Sequence, residues 1–453
     1  MKDDNFLRAN NAQHMWHPMG HPGEAMEQTP TIIETASGST IKDIDGHETI
    51  DAVGGLWCVN LGYSNDVVKD AIAKQLYDLP YYSAFAGTSN PSAIEASYAV
   101  REFFAEDGMA RVFFTSGGSD SVETCLRLAR QYHRIKGEPN RTKFLSLKKG
   151  YHGTHFGGAS VNGNNRFRIN YEPLLPGCFH MPSPYTYRNP FNETDAAILA
   201  QNIAAAMEDE IVFQGAGSIA AFIMEPVQGA GGVIVPNETF MPLMRDICDR
   251  HGILMIADEV ITGFGRTGNW FACETLGIEA DLMTIAKGLS SGYMPIGGVL
   301  ISERVAKVVI DGGEFTHGYT YSGHPVAAAV ASANVSIIEN EGMIEQVRDV
   351  TGPYLQQRLA ELLDHPLVGQ VRGIGLMAAI ELVQDKESHT NYPKEVGIGG
   401  ICRDYALENG LVMRAVGDSM IMCPPLIISK LEIDELVEKT KKSLDQTLTQ
   451  VEG

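Results

Sequence analysis

A lysine at the end of an apolar run is the first candidate for chemistry. Lys287 directly follows Leu282 to Ala286, a run that predicts a β-strand. Lysine is seldom buried without a partner, and a desolvated amine is a good nucleophile toward an aldehyde. The position therefore suits a Schiff base with a carbonyl compound. An ordinary surface lysine is the alternative, and this motif alone leaves both open.

Two carboxylates, Asp258 and Glu259, follow a second predicted strand, Ile253 to Ala257. Parallel sheets usually place ligands at this edge. An aspartate there can hold a cation or a protonated ring nitrogen. Metal binding needs further oxygen or imidazole ligands nearby in sequence, and none is evident. A helix cap or a satisfied loop acid is the remaining alternative.

A glycine-rich turn lies between a third predicted strand, Arg111 to Thr115, and a helix whose apolar face contains Val122, Cys125, Leu126 and Ala129. Glycines such as Gly118 allow close approach of the backbone, and the free N–H groups at a helix start bind anions. An ordinary capped helix entry would also explain Ser119 and its neighbours. A phosphate cradle, an acid and a lysine at strand ends of one sheet are together the parts that hold pyridoxal phosphate.

The elements that carry these motifs alternate along the chain. Strands are predicted at Phe144 to Leu147, Ile219 to Met224 and Ile296 to Ile301, with helical spacing of apolar residues between Phe240 and Cys248. Runs that are apolar on both faces and separated by helices predict an α/β fold with a mostly parallel sheet covered on both sides.

The two ends of the chain differ from its middle. Strand-like pieces occur around Gly38 to Asp51, and the last hundred residues predict helices near Tyr354 to Leu363 and Ile401 to Glu408, a strand at Leu376 to Leu382 and a final helix from Ile433. We predict a large domain at 71–330 and a smaller α+β domain built from 1–70 and 331–453.

Composition narrows the class of protein. A formal net charge of −21 over 453 residues disfavours binding to nucleic acid or anionic membranes. The start of the chain lacks the apolar stretch of a signal peptide, no run of 18 apolar residues appears, and seven scattered cysteines show no CxxC spacing. We therefore expect a cytoplasmic protein without a disulfide framework. His14, His17 and His21 lie among prolines and glycines, which predicts an irregular arm and no metal site.

From Trp16 to the final helix, the chain resembles the class III (omega) aminotransferases of the fold-type I pyridoxal-phosphate enzymes, and in particular the amine:pyruvate and putrescine:pyruvate types. The resemblance is carried by residues 55–60 (GLWCVN), 151–153 (YHG), 224–229 (MEPVQG), 257–260 (ADEV), 263–268 (GFGRTG), 286–288 (AKG) and 319–325 (YTYSGHP).

The resemblance implies roles for single residues. Lys287 would bind the cofactor and move protons, and Asp258 would pair with the pyridine nitrogen and keep it protonated. The other expected cofactor contacts are Tyr151 and Val260 on the two ring faces, Gly118 and Ser119 at the phosphate, Glu225 behind the ring, and Thr320 at the phosphate across a subunit boundary. The family therefore implies a homodimer, possibly paired into a tetramer, with active sites at the interface.

Departures from the family pattern bear on the substrate. Relatives that use ornithine or 4-aminobutyrate carry Gln and Glu where this chain has Ile261 and Ala230, so the site is more apolar. Arg414 matches the mobile arginine that grips the acceptor carboxylate in amine:pyruvate aminotransferases. With Trp57, Phe85 and Tyr151 expected to line the pocket, we predict transfer from a primary amine, a diamine or an ω-amino acid to pyruvate.

The same lysine would also support an aminomutase or a decarboxylating transaminase, which are the alternatives within the fold. A mutase needs no external acceptor, so dependence on pyruvate separates the two. A binding protein without catalysis is the alternative from another class. Retention of Lys287, Asp258 and Tyr151 together with the phosphate turn opposes it.

Overall fold

The computed structural model describes residues 3–27, 30–105 and 108–452. In chain order its strands are β1 (Ile33–Ser37), β2 (Thr40–Asp43), β3 (Glu48–Asp51), β4 (Met109–Thr115), β5 (Lys143–Leu147), β6 (Cys178–Met181), β7 (Ile219–Met224), β8 (Leu254–Asp258), β9 (Leu282–Ile285), β10 (Gly297–Ser302), β11 (Val368–Ile374), β12 (Met377–Leu382), β13 (Leu411–Val412), β14 (Arg414–Val416) and β15 (Ser419–Met422).

The α-helices cover both the ends and the middle of the chain. They are α1 (Asp4–His14), α2 (Pro22–Glu27), α3 (Gly54–Trp57), α4 (Asp66–Asp78), α5 (Pro91–Arg101), α6 (Gly118–Ile135), α7 (Phe156–Val161), α8 (Ala196–Gln214), α9 (Phe240–His251), α10 (Ala272–Leu276), α11 (Glu303–Gly312), α12 (Pro325–Asn340), α13 (Met343–Gln346), α14 (Gly352–Ala360), α15 (Ile398–Glu408) and α16 (Lys430–Glu452). Within the described ranges, no helix combines the length and the apolar content needed to cross a bilayer.

A seven-stranded sheet forms the centre of the molecule, in the order β4-β10-β9-β8-β7-β5-β6. Every residue of β7, β8 and β9 is buried, because helices cover both faces of the sheet. Helix α6 packs against the sheet through the predicted apolar face, in which Val122, Cys125, Leu126 and Ala129 are all buried. The predicted mostly parallel sheet is confirmed.

One strand of this sheet runs against the others. Strand β10 pairs antiparallel with both β4 and β9, while the pairs from β9 through β6 are parallel. Since β10 opposes both of its neighbours, β4 and β9 point in the same direction. The carboxyl ends of β4, β8 and β9 therefore meet at one edge.

Two smaller sheets contain the ends of the chain. Strands β1, β2 and β3 form an antiparallel sheet, and β13 pairs in parallel with β3 at its edge. The third sheet has the order β11-β12-β15-β14 and is antiparallel. The pairing of β3 with β13 brings the first and the last part of the chain together.

A buried arginine ties three distant segments to one another. Arg266 has 0% exposure, and its guanidinium donates to Asn60 Oδ1 at 2.7 Å, to the Cys423 carbonyl at 3.4 Å and to the Pro424 carbonyl. Hydrogen bonds from a charged donor are stronger than neutral ones. This side chain therefore fixes both ends of the chain against the loop that follows β8.

The N-terminal arm is more regular than its composition predicts. Helices α1 and α2 flank the irregular stretch 15–21, so His14 ends a helix and only His17 and His21 lie in irregular chain. Asp3 caps α1 by accepting from the Phe6 amide at 2.9 Å. His17 Nε2 contacts Asn11 Oδ1 at 2.9 Å, and His21 Nδ1 accepts from the Gly23 amide at 3.1 Å.

Candidate active site

A cavity of about 140 Å³ lies at the edge where β4, β8 and β9 end. The side chains and glycines around it include Gly118, Ser119, Tyr151, Glu225, Asp258, Val260 and Lys287. The three motifs that the sequence analysis singled out are therefore brought together in space. His152 and Ile261 complete this part of the wall.

Lys287 begins a single 3-10 turn directly after β9. Its φ of 40° is rare for a residue with a side chain, and such strain tends to occur at functional sites. The amine lies 4.9 Å from the centroid of the Trp57 ring. Burial lowers the pKa of the Lys287 amine to about 8, although Cys58 and Asp258 nearby act in the opposite direction. Far more of this amine than of an ordinary lysine is therefore neutral near pH 7, and a nucleophile or a base must be neutral.

Asp258, at the end of β8, is held by three contacts. Its Oδ1 accepts from Thr284 Oγ1 at 2.9 Å and from the Val260 amide at 3.2 Å, and its Oδ2 lies 2.8 Å from His152 Nδ1. Asp258 is only 4% exposed to solvent. These contacts fix the orientation of the carboxylate, so it can face a cationic ring nitrogen in the cavity without reorganisation.

His152 is the residue that the sequence analysis missed. Its motif, Tyr151-His152-Gly153, was noted, but no role followed for the imidazole. The backbone amide of His152 donates to Asn162 Oδ1 at 2.5 Å while its ring contacts Asp258. The histidine therefore joins the turn that carries Tyr151 to the acid on β8.

The start of α6 forms the anion-binding end of the cavity. A Cβ placed on Gly118 would lie 3.0 Å from Val260 Cγ1, and one on Gly153, whose φ is 91°, would lie 2.5 Å from Ser119 Oγ. Glycine is therefore required at position 153, and a side chain at position 118 would press against Val260. Ser119 Oγ also accepts from the Thr154 amide at 3.2 Å. A hydroxyl and the free N–H groups of an 18-residue helix thus face the same space, as a phosphate needs.

Glu225 is buried behind the cavity. Its Oε1 accepts from the Tyr151 amide at 2.8 Å, and its Oε2 accepts from the Gly229 amide at 2.9 Å. Burial raises the pKa of Glu225 to about 7. The side chain therefore works as a clamp that positions the Tyr151 turn against the loop after β7.

An aromatic and cationic group borders the other side of Lys287. The Arg414 guanidinium carbon lies 5.0 Å from the centroid of the Trp57 ring, the same ring that the lysine amine approaches. Trp57 is 4% exposed and has a φ of 59°. Arg414 and Trp57 are therefore in contact, and Ala230 packs against the apolar cluster to which Trp57 belongs.

Two predicted site residues lie elsewhere in a single chain. Phe85 is 51% exposed, and its ring is close to Gly318, where an added Cβ would be 3.3 Å away. Thr320 is exposed and its carbonyl accepts from Tyr81 Oη at 2.9 Å. Neither residue lines the cavity beside Lys287. They share one surface, formed by the segments around residues 81–88 and 318–324.

Comparisons with known proteins agree over nearly the whole chain. Residues 23–444 match the family Aminotransferase class-III. The putrescine–pyruvate aminotransferase of Pseudomonas aeruginosa is 44% identical, and the match covers 98% of this chain and 97% of that enzyme. The diaminobutyrate–2-oxoglutarate transaminase of Halomonas elongata is 38% identical, with 92% and 90% covered.

Solved structures give the same picture. An amine transaminase from an uncultivated Pseudomonas species, with bound pyridoxal phosphate, superposes with a TM-score of 0.93 at 42% identity, and 96% of this chain and 99% of that chain are covered. The omega transaminase of Pseudomonas jessenii in complex with PMP has a TM-score of 0.95 at 38% identity, covering 98% and 99%. The predicted fold class is confirmed.

Proposed function

Because the chain belongs to the class-III aminotransferases, we propose that it moves an amino group from a primary amine, a diamine or an ω-amino acid to pyruvate. The observation that carries this proposal is the shared position of Lys287 and Arg414 at one tryptophan ring. The neutral lysine amine can move a proton at the reacting carbon while the guanidinium binds a carboxylate. A short keto acid such as pyruvate offers both groups a few bonds apart.

Pyridoxal phosphate is the cofactor, and when bound it carries the amino group and withdraws electrons from the substrate carbon. In this proposal Gly118 and Ser119 bind its phosphate at the start of α6, where free backbone N–H groups meet the cavity. Tyr151 and Val260 bound its two ring faces as part of the cavity wall.

Lys287 carries protons between the substrate carbon and the cofactor. A pKa of about 8 suits this task, since a group that titrates near the working pH can both accept and release a proton. Burial supplies the shift, because water that would solvate an ammonium ion is largely excluded.

Asp258 holds the ring nitrogen in its cationic form. Its oxygens are already oriented by Thr284, Val260 and His152, so little reorganisation accompanies binding. Glu225 does not touch the reacting atoms in this scheme. It positions Tyr151 through the amide contact at 2.8 Å.

The acceptor carboxylate binds Arg414, and the donor side stays apolar. A guanidinium fork matches a carboxylate in a bidentate manner. Ala230 and Ile261 add no charge to the pocket, so a donor with an uncharged chain next to its amine is accommodated. We infer that Trp57 sets the width of this pocket, together with Tyr151.

We also propose that the enzyme works as a homodimer whose active sites lie at the subunit interface, with tetramers as a further step. Phe85 and Thr320 would then reach the cavity of the other subunit. The surface that they share carries the exposed rings of Tyr82 and Tyr321, 55% and 61% accessible. Exposed aromatic surface of this kind is typical of interfaces. Sedimentation of the holoenzyme tests the mass.

We propose that residues 71–330 form one domain and that 1–70 and 331–453 form the other, supported by the pairing of β3 with β13. We propose the cytoplasm as the location, supported by the free state of all seven cysteines.

The experiment is a half-reaction assay on purified holoenzyme, followed by visible absorbance. Putrescine, β-alanine or a simple aryl amine should bleach the cofactor band, and pyruvate should restore it with formation of alanine. If only 2-oxoglutarate accepts nitrogen, the proposed acceptor is wrong. Product formation without any keto acid would instead support an aminomutase.

A matched pair of variants locates the acceptor site. Arg414→Leu should raise the KM for pyruvate while leaving the rate of the donor half-reaction with an aryl amine within about threefold. Arg403→Leu removes an exposed arginine of α15 that pairs only with its neighbour Asp404 among the described residues, and it should change neither value. Equal effects of both substitutions would contradict the assignment of Arg414.

A further inference from the structure

A second and larger cavity is lined by a different set of residues from the cofactor pocket. Its volume is about 950 Å³, and it shares no lining residue with the cavity beside Lys287. The residues that matter for its charge are Lys148, Lys149, Arg168, Glu172, His180 and Arg188. We refer to it below as the basic cleft.

The charge of the basic cleft is opposite to that of the chain. Two lysines, two arginines and one acid line it, whereas the whole protein has a formal net charge of −21. Burial and the nearby Arg168 lower the pKa of His180 to about 4, so the imidazole is neutral. A concave surface of one sign concentrates field lines and attracts counter-ions. The cleft is therefore an anion-attracting site on an otherwise acidic protein.

Two of the four cations already have partners. Arg188 pairs with Glu381 and donates to the His389 carbonyl at 3.0 Å. Arg168 lies 3.6 Å from Glu172 and donates to the Asn162 carbonyl at 3.2 Å. These contacts hold the arginines in place and partly neutralise them. The uncompensated positive charge of the cleft is therefore that of the two lysines.

The two lysines are not neutralised. Among the described residues, the amines of Lys148 and Lys149 form no ion pair and no hydrogen bond. The Lys149 amine instead lies 4.9 Å from the centroid of the Tyr185 ring. An ammonium group over an aromatic face is oriented without being neutralised, although burial lowers the pKa of the Lys149 amine.

The backbone that presents these lysines is rigid. Lys149 has a φ of 65°, and its amide donates to the Gly163 carbonyl at 2.9 Å. The Lys148 amide donates to the Met181 carbonyl at 2.7 Å. A left-handed lysine persists only where its surroundings determine the conformation. Both lysines are thus presented by a preorganised turn, which lowers the entropy cost of binding.

We propose that the basic cleft binds a small polyanion, a metabolite with two or more clustered carboxylate or phosphate groups. Such a ligand would place its charges between Lys148, Lys149 and the remaining donors of Arg168. Glu172, which is half-exposed, can turn toward solvent. The site is separate from the transamination chemistry and adds a ligand that is neither donor nor acceptor.

Titration calorimetry of the holoenzyme at low ionic strength tests the proposal. Saturation with pyridoxal phosphate fills the anion-binding site at the start of α6, so the probes cannot bind there. The probes are inorganic pyrophosphate for phosphate groups and citrate for carboxylate groups. We expect one site per chain for at least one probe, with an affinity that falls as salt rises. Absence of binding by both probes overturns the proposal.

Variants locate the site without using activity. Lys148→Gln and Lys149→Gln, singly and combined, should weaken binding, and the pair should do so by about tenfold or more, because charge-assisted contacts are lost. Lys136→Gln is the matched control, since that lysine is also exposed and lies 5.3 Å from a tyrosine ring centroid. Arg414→Leu should leave binding unchanged.

Two results would overturn the assignment. Binding that survives the double lysine substitution would place the anion elsewhere, and binding lost with Arg414→Leu would place it in the acceptor pocket. Neither result depends on turnover, so failure of this inference is distinct from failure of the proposed reaction. Circular dichroism and the cofactor band confirm that each variant is folded.

Discussion

The lowered pKa of Lys287 predicts how fast the apoenzyme captures its cofactor. Burial moves the pKa of this amine from 10.5 to about 8. At about pH 7, roughly a tenth of such an amine is neutral, against about one part in three thousand for an ordinary lysine. Only the neutral amine attacks an aldehyde. The structure therefore supplies a factor of about 300 in reactive amine at neutral pH.

The assay follows covalent capture of pyridoxal phosphate by stripped enzyme, from about pH 6 to about pH 10, in a stopped-flow spectrophotometer. Nα-acetyl-lysine in the same buffers corrects for the ionisation of the cofactor itself. Capture by the enzyme should rise with pH and level off near pH 8, while capture by acetyl-lysine continues to rise toward its own pKa. Lys287→Arg should show no capture, which excludes other lysines as the source of the signal.

Parallel pH profiles for enzyme and acetyl-lysine would refute the reasoning. Such a result would mean that water reaches the Lys287 amine freely, and that the neighbouring acids outweigh burial. Trp57→Phe should keep the plateau near pH 8, because phenylalanine leaves an apolar ring near the amine.

Three further outcomes are expected. Gly118→Ala should weaken cofactor binding to the apoenzyme, measured by absorbance titration, because the added methyl group would lie 3.0 Å from a methyl group of Val260. Gly117→Ala is the control: its added methyl group would have no atom within 4 Å, so this variant should bind the cofactor normally. Trp57→Leu should raise the pyruvate KM by about two- to thirtyfold, since a cation–π contact contributes about 0.5–2 kcal/mol to holding Arg414, and an unchanged KM would contradict that contact. Arg266→Met should lower the free energy of unfolding by about 3 kcal/mol or more, because two carbonyls and an amide oxygen lose a buried charged donor. The change should be seen as a lower urea midpoint. A midpoint equal to wild type would show that those groups find other partners.

Much of the central sheet follows from local sequence. The predicted strand at Ile219 to Met224 is confirmed at both ends, because six consecutive buried positions are apolar. Strand direction does not follow in the same way. The side-chain pattern of β10 is compatible with either direction, and its antiparallel pairing with β4 and β9 depends on the path of the chain.

Helix α1 shows a different limit. None of its residues is buried, so no apolar face repeats along the sequence. Its signal is the cap at Asp3 and the polar residues that follow, which composition alone does not separate from an irregular arm. The helix is therefore visible only in the structure.

Some residues of the candidate site follow from local sequence and others do not. Lys287, Asp258 and Gly118 each stand at the end of a strand or the start of a helix, where local pattern and chemistry coincide. The contact of His152 with Asp258 joins residues 106 positions apart, and no local pattern encodes it. Phe85 and Thr320 were expected at the site through the resemblance, and their roles stay predictions that depend on a second subunit.

The parallel pairing of β3 with β13 has a consequence for folding during translation. During synthesis, β3 leaves the ribosome early, and its partner emerges only after almost all of the remaining chain. The edge of the first sheet therefore stays open until β13 emerges, and an open edge can pair with strands of other chains. Arg414 emerges two residues after β13. A nascent chain can thus complete its cofactor cradle well before it gains the arginine that would select the acceptor.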